Sequence, residues 1–150
     1  MRRHMFAVVA VLSGLAALSG CASSGGLSDA DRLGVYQSAA GEPVSSFSYL
    51  GRISSWTLID DQHIAVWTRP SEAWLLRFHG RCQDIGFAQV IGLTSQGSRV
   101  YAGFDKVMVH SPASIQIPCR IREIRPLDAK RLKAEEKAAR QGAQGEASGT

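Results

Sequence analysis

The sequence predicts an α+β domain: a small, mainly antiparallel β-sheet running as a meander, with an N-terminal helix, one disulfide and a polar C-terminal helix. Three observations lead there. Apolar spacing changes from helical to period two near Val44, and short β-rich runs then alternate with Asp-, Gly- and Pro-containing turns. Two cysteines, Cys82 and Cys119, fall among those runs.

The elements follow in order. Ser28 has the character of an N-cap, with Asp31 three residues on as its capping-box acid. Leu33, Tyr36 and Ala40 then fall at i, i+3 and i+7, and Gly41 stands at a C′ position. This predicts a helix over 29–40, weakened by Gly34 and closed by Glu42-Pro43. Phe47 and Tyr49 alternate with serines, and Gly51 permits a bulge or turn. Strands are predicted over 53–59, 63–68 and 73–78, separated by the turns Asp60-Asp61-Gln62 and Arg69-Pro70-Ser71-Glu72. The third places Trp74, Leu76 and Phe78 on one face. Residues 83–93 suit a helical turn or a strand equally, whereas 107–109 and 115–124 have strand character. Consecutive short strands favour a meander, with the helix covering one face.

Residues 128–140 are rich in Ala, Lys, Arg and Glu, with Leu132 the one large apolar side chain. They predict a basic helix supported by the i,i+4 pairs Arg131/Glu135 and Glu136/Arg140. Thirteen residues without an apolar face are marginal alone, so the helix is expected to fray into a disordered tail at 141–150. The globular domain is then 29–127, preceded by a Ser/Gly tether at 21–28.

The beginning of the chain has the form of an export signal. Met1-Arg2-Arg3-His4 is a positive segment, followed by an apolar run from Met5 to Leu18. As a helix that run would span about 21 Å, short of a hydrocarbon core of about 30 Å. Leu18-Ser19-Gly20-Cys21 closes it. This segment resembles the lipobox of bacterial lipoproteins, so 1–20 is expected to be a removed signal peptide. The resemblance implies lipid on the Cys21 thiol, cleavage before Cys21 and a membrane anchor through that lipid. Under the sorting rule of such lipoproteins, Ala22 rather than Asp after the cysteine implies the periplasmic face of the outer membrane.

A wider resemblance rests on several further segments. They are Gly51-Arg52-Ile53 with Trp56, Ala65-Val66-Trp67-Thr68, and Ala73-Trp74-Leu75-Leu76 before Cys82. Phe104-Asp105-Lys106-Val107 and Cys119-Arg120-Ile121-Arg122-Glu123-Ile124 complete the set. Over roughly residues 29–127 the chain resembles a domain-of-unknown-function family of small proteobacterial lipoproteins, which brings no activity or catalytic residue with it.

The chemistry-bearing residues admit competing readings. With Cys21 lipidated, Cys82 and Cys119 are expected to pair, as cysteines of exported proteins usually do. Closing a loop of about 38 residues stabilises by roughly 4 kcal/mol in the chain-entropy account. The alternatives are two free thiols or a zinc set of His79, Cys82, His110 and Cys119, although eight residues separate the second pair of that set. No cofactor or metal is expected. His63, His79 and His110 with Asp60, Asp61 and Asp105 invite a hydrolase or transferase reading, but no G-x-S-x-G elbow accompanies them. Asp60-Asp61 and Asp105 suit turns, or for Asp105 a surface pair with Lys106. Trp56, Trp67 and Trp74 fit a packed core better than a ligand groove.

Composition is 45% hydrophobic and 20% charged, which excludes wholesale disorder, and the formal net charge is +4. Residues 120–140 carry eight Lys or Arg against four acids, while 21–119 are slightly acidic. Arg120 and Arg122 on a strand, with Lys130, Lys133 and Lys137 on a helix stripe, are therefore candidate contacts to an anionic envelope surface. Partners are expected to be the membrane, an anionic envelope polymer or another envelope protein, and not nucleic acid. The function expected is non-enzymatic binding or scaffolding in the envelope.

Overall fold

Helix α1 (Asp29–Ser38) begins where its cap chemistry places it. Ser28 is the N-cap, and its side chain accepts the Asp31 N–H. The Asp31 carboxylate turns back onto the Ser28 hydroxyl. The computed structural model describes residues 26–110 and 116–147; the predicted signal segment, Cys21, the predicted tether up to Gly25, the start of the predicted 115–124 strand and the last three residues lie outside that range. Tyr36 is buried, with Leu33 and Ala40 packed beside it, as the helical spacing predicted. The helix ends earlier than predicted, at Ser38, and Ala39 caps it in a right-handed conformation. Gly41 serves a different purpose from the C′ role expected of it. Its N–H donates to the Pro126 carbonyl, and a Cβ there would sit 3.1 Å from Pro126 Cγ.

The strands are β1 (Ser46–Ser48), β2 (Ser55–Leu58), β3 (His63–Arg69), β4 (Glu72–Phe78), β5 (Val90–Leu93), β6 (Arg99–Tyr101), β7 (Lys106–His110) and β8 (Ile117–Leu127). The interval 83–93 contains both alternatives, a 3₁₀ turn at Ile85–Phe87 and then β5. Strand β6 had no sequence signal beyond Val100 and Tyr101. The strands β2, β3 and β4 form the meander predicted. Beyond them the order becomes β2-β3-β4-β8-β7-β5, all antiparallel, so the long β8 inserts beside β4. A second pair, β1 with β6, continues the curl: bridges from Ala40 to Leu127 and Val44 to Ile124 lead the chain along β8 into β1.

Period-two alternation sorts side chains onto the two faces of this curled sheet. The inner face encloses one core, built on Ile64, Val66, Leu76, Phe78, Val107, Ile121 and Ile124 and covered by Phe47 and Val100 of the smaller pair. Each fully buried side chain of this size contributes about 1.5–3 kcal/mol. The outer face carries Ala65, Ala73, Leu75 and Leu127 beneath α1. Trp56 and Trp74 pack on the inner core and Trp67 on the outer one, so the three tryptophans line no common groove. Trp74 stacks on Phe47 with ring centroids 4.8 Å apart.

Helix α2 (Ala129–Ala147) differs from the frayed helix expected. It runs seven residues past the predicted end, so 141–147 are helical and not a disordered tail. Its support is tertiary. Leu132 is buried in the outer core, and the Tyr36 hydroxyl donates to Glu136 at 3.0 Å. Burial, together with the Glu136 charge, pushes the Tyr36 phenol up to about 12. Arg131 and Glu135 approach at 3.9 Å as predicted, whereas Glu136 turns to Tyr36.

Candidate functional site

The two cysteines are joined. Cys82 and Cys119 form a disulfide with a Cα–Cα distance of 5.5 Å, tying the segment after β4 to β8. This removes both sulfurs from the zinc alternative, and among the described residues no group of three or more His, Cys, Asp or Glu is arranged to hold a metal ion. His79 is exposed, and His110 hydrogen-bonds Gln116 at 2.8 Å.

Asp105 is a buried turn residue, not the surface partner of Lys106. Its carboxylate accepts from the Thr94 hydroxyl and the Tyr101 N–H, both at 2.7 Å, and so fixes the β6–β7 connection. Asp61 pairs with Arg81. Asp60 and His63 do come together. His63 Nδ1 lies 2.9 Å from both Asp60 oxygens, so Nδ1 carries the proton and Nε2 is left facing outward from the pair.

The most distinctive surface is the part of the outer sheet face that the helices leave open. Strand pairing assembles it from three strands. Arg77 on β4 stands in register with Glu123 on β8, and Arg120 on β8 stands in register with Lys106 on β7. Arg125 shares the face, one alternation from Glu123. A register shift opposite Arg77 and Phe78 leaves Arg122 as an extra, exposed residue of β8. Arg125, Arg77 and Arg122 thus act on one carboxylate, with Lys106 and Arg120 further along the same face. Glu123 accepts from Arg125 Nε at 2.8 Å. That hydrogen bond, with the charges of Arg125, Arg77 and Arg122, holds the Glu123 carboxyl below its ordinary value despite partial burial. Arg77, Lys106, Arg120 and Arg122 make no side-chain hydrogen bond or ion pair among the described residues. Like charges directly opposite on neighbouring strands, as Lys106 and Arg120 are, destabilise a sheet.

Of the predicted surface contacts, Arg120 and Arg122 are exposed on this face, and Lys130, Lys133 and Lys137 are exposed on α2. Helix α2 leaves β8 at the end opposite Arg120, roughly 23 Å along the strand. The company of Arg120 and Arg122 on the sheet therefore comes from Arg77, Lys106 and Arg125, which the sequence reading did not select. Their signal was present in part: Arg77 alternates with the apolar face of Trp74, Leu76 and Phe78. The missing step was the pairing of β4 with β8 and of β8 with β7.

Where α1 ends, the open face deepens into a cavity of about 320 Å³ lined by Gln37, His63, Leu75, Arg77, Glu123 and Arg125. It presents guanidinium, imidazole, amide and carboxylate groups beside Leu75. Its lining holds no Ser, Thr, Cys or Lys side chain to act as a nucleophile.

No curated protein and no solved structure matches the chain. A family model does, over residues 1–143, described as a family of unknown function (DUF6491). The match spans the signal-like segment, both cysteines and the basic sheet face, and the chain belongs to that family.

Proposed function

We propose that this protein is an outer-membrane-anchored periplasmic lipoprotein that works by binding, and that the open basic half of its outer sheet face takes anionic groups of the cell envelope. The observation that carries the reading is the gathering of Arg77, Lys106, Arg120, Arg122 and Arg125 on one sheet face, with Glu123 the one carboxylate that Arg77, Arg122 and Arg125 act on. A folded domain gains nothing in stability from opposing Lys106 and Arg120, so the arrangement answers to an external anion. Two further features support the location. The lipobox-like Leu18-Ser19-Gly20-Cys21 follows a basic and then an apolar segment in the order an exported lipoprotein requires. The Cys82–Cys119 disulfide is chemistry of an oxidising compartment.

The test is fractionation with mass spectrometry. The wild-type protein sediments with outer membranes and carries acyl chains on Cys21, because two or more chains anchor stably where one does not. Cys21→Ala leaves it unprocessed or soluble. Wild-type protein that is soluble and unacylated contradicts the reading.

A second reading, a small periplasmic hydrolase or transferase, is favoured by one observation: the His63–Asp60 pair beside a cavity. With no Ser, Thr, Cys or Lys in the lining, such an enzyme would activate water through His63. Turnover of nitrophenyl esters or phosphates that disappears in His63→Gln would move the assignment there.

A further inference from the structure

We propose that the cavity at the end of α1 binds the phosphate group of a phosphomonoester. The proposal rests on the reading of the open face as an anion-binding surface and names the chemistry of its most enclosed point. The cavity's polar lining is rich in donors, with two guanidinium groups and an amide beside the His63 imidazole and the Glu123 carboxylate. Arg77 brings a guanidinium with five N–H groups and no hydrogen bond among the described residues. Arg125 is held through Nε by Glu123, which leaves its two terminal nitrogens as a fork. Gln37 adds an amide at the rim. The one carboxylate, Glu123, accepts from Arg125 Nε through a single oxygen and works as its positioning residue.

The number and direction of these donors favour a tetrahedral oxyanion over a carboxylate. Two guanidinium groups approach from β4 and β8, the Gln37 amide from α1 and the imidazole from β3. A carboxylate offers two oxygens to satisfy them, whereas a phosphomonoester offers three. His63 strengthens the preference. Asp60 fixes the proton on Nδ1, so Nε2 is an acceptor when the ring is neutral and a donor when it is charged. A phosphate monoanion presents both a P–OH and bare oxygens, and thus satisfies Nε2 in either state. The apolar Leu75 side chain and a volume of about 320 Å³ suit a phosphate with a small attached group. That group can belong to a soluble ester or to a lipid headgroup, since the phosphate chemistry is the same.

The experiment uses the mature, lipidated protein in a neutral detergent, with ionic strength held constant by chloride. Inorganic phosphate, glycerol phosphate, acetate and phosphatidic acid in the micelle are compared as probes of melting temperature. Phosphate and glycerol phosphate are expected to raise it saturably and acetate not to do so. Displacement of glycerol phosphate by micellar phosphatidic acid assigns the site to a lipid headgroup, and failure to displace assigns it to a soluble ester; both support the proposal. Arg77→Gln is expected to weaken phosphate at least tenfold, while Arg52→Gln, an exposed cation outside both the cavity and the basic face, leaves it unchanged. Arg77→Lys keeps the charge without the fork, serves as the folding control and falls between. If Arg77 merely neutralised the C-terminal turn of α1, Arg77→Gln would lower the melting temperature without phosphate and leave the phosphate-induced rise intact; that result overturns the proposal, as does equal protection by acetate. No phosphate effect alongside retained binding of anionic vesicles removes the cavity site and leaves the basic face standing. Loss of both removes both.

Discussion

Strands β4 and β8 each cross two environments on the same outer sheet face. At one end β4 places Ala73 and Leu75 beneath α1, Ala73 in register with Leu127 of β8 and Leu75 with Arg125 at the boundary. One alternation further on, the same strands place Arg77 and Glu123 in the open, followed by Arg122 and Arg120. The backbone ladder is continuous through both halves; what changes is the residue chosen at each outward position. The covered half holds small or branched apolar groups because helices pack there, and its value is stability. The open half holds cations whose mutual repulsion the fold must tolerate, and that points to a surface kept for something outside the molecule. The two halves therefore predict opposite consequences for substitution.

The largest effect belongs to the link that holds β8 in place for both halves. Cys82→Ala is expected to destabilise by roughly 4 kcal/mol, read as a lower urea midpoint, and reduction of the wild type should reproduce it. Next comes the contrast itself. Leu75→Ala, in the covered half, should cost about 2–5 kcal/mol by leaving a cavity under α1. Arg77→Gln, two residues along the same strand, should stay within about 0.5 kcal/mol. Equal losses at the two positions would erase the distinction between the halves.

Tyr36 sharpens the comparison through pH. Its phenol is raised from 10.0 to about 12 in the folded protein, so the folded state holds the proton more tightly than the unfolded chain. The stability tied to that proton is complete below pH 10 and is lost as pH rises toward 12. Tyr36→Phe should flatten this alkaline loss, which a titration of melting temperature reads directly. The smallest effect is in the open half. Glu123 is depressed by Arg125 and its neighbours, so its contribution is present above the ordinary Glu range and fades as pH falls through the folded value. Glu123→Gln should remove a slight acid-side slope and little else, because exposed ion pairs contribute weakly.

Local chemistry was legible in the sequence wherever neighbours in the chain decide it. The Ser28 cap, the turn after Ile59 and the apolar face of Trp74, Leu76 and Phe78 all depend on residues a few positions apart, and all three form as predicted. What the sequence hid depends on distant partners. Leu132 looked like a lone apolar residue until α1 supplied Tyr36 and the sheet supplied Leu127 to pack with it. Gly41 resembled a helix cap, and its actual constraint is Pro126, 85 positions away. The basic face was half visible for the same reason. Arg120 and Arg122 stood out as a local charge cluster, whereas Arg77 and Lys106 join them only through strand pairing.

The most direct test of the open half as a binding surface is vesicle cosedimentation of residues 21–150 carrying Cys21→Ser, so that no lipid anchor contributes. The wild-type domain is compared with Lys106→Gln/Arg120→Gln/Arg122→Gln on anionic and neutral vesicles, at low and moderate salt. Each basic residue near an anionic surface contributes about 1 kcal/mol within a Debye length of about 8 Å. The account predicts binding to anionic vesicles alone, weakened by salt, and reduced at least tenfold in the triple variant while its melting temperature stays within about 3 °C of wild type. Equal binding to both kinds of vesicle, binding to neither, or a triple variant that binds as well as the wild type would contradict it.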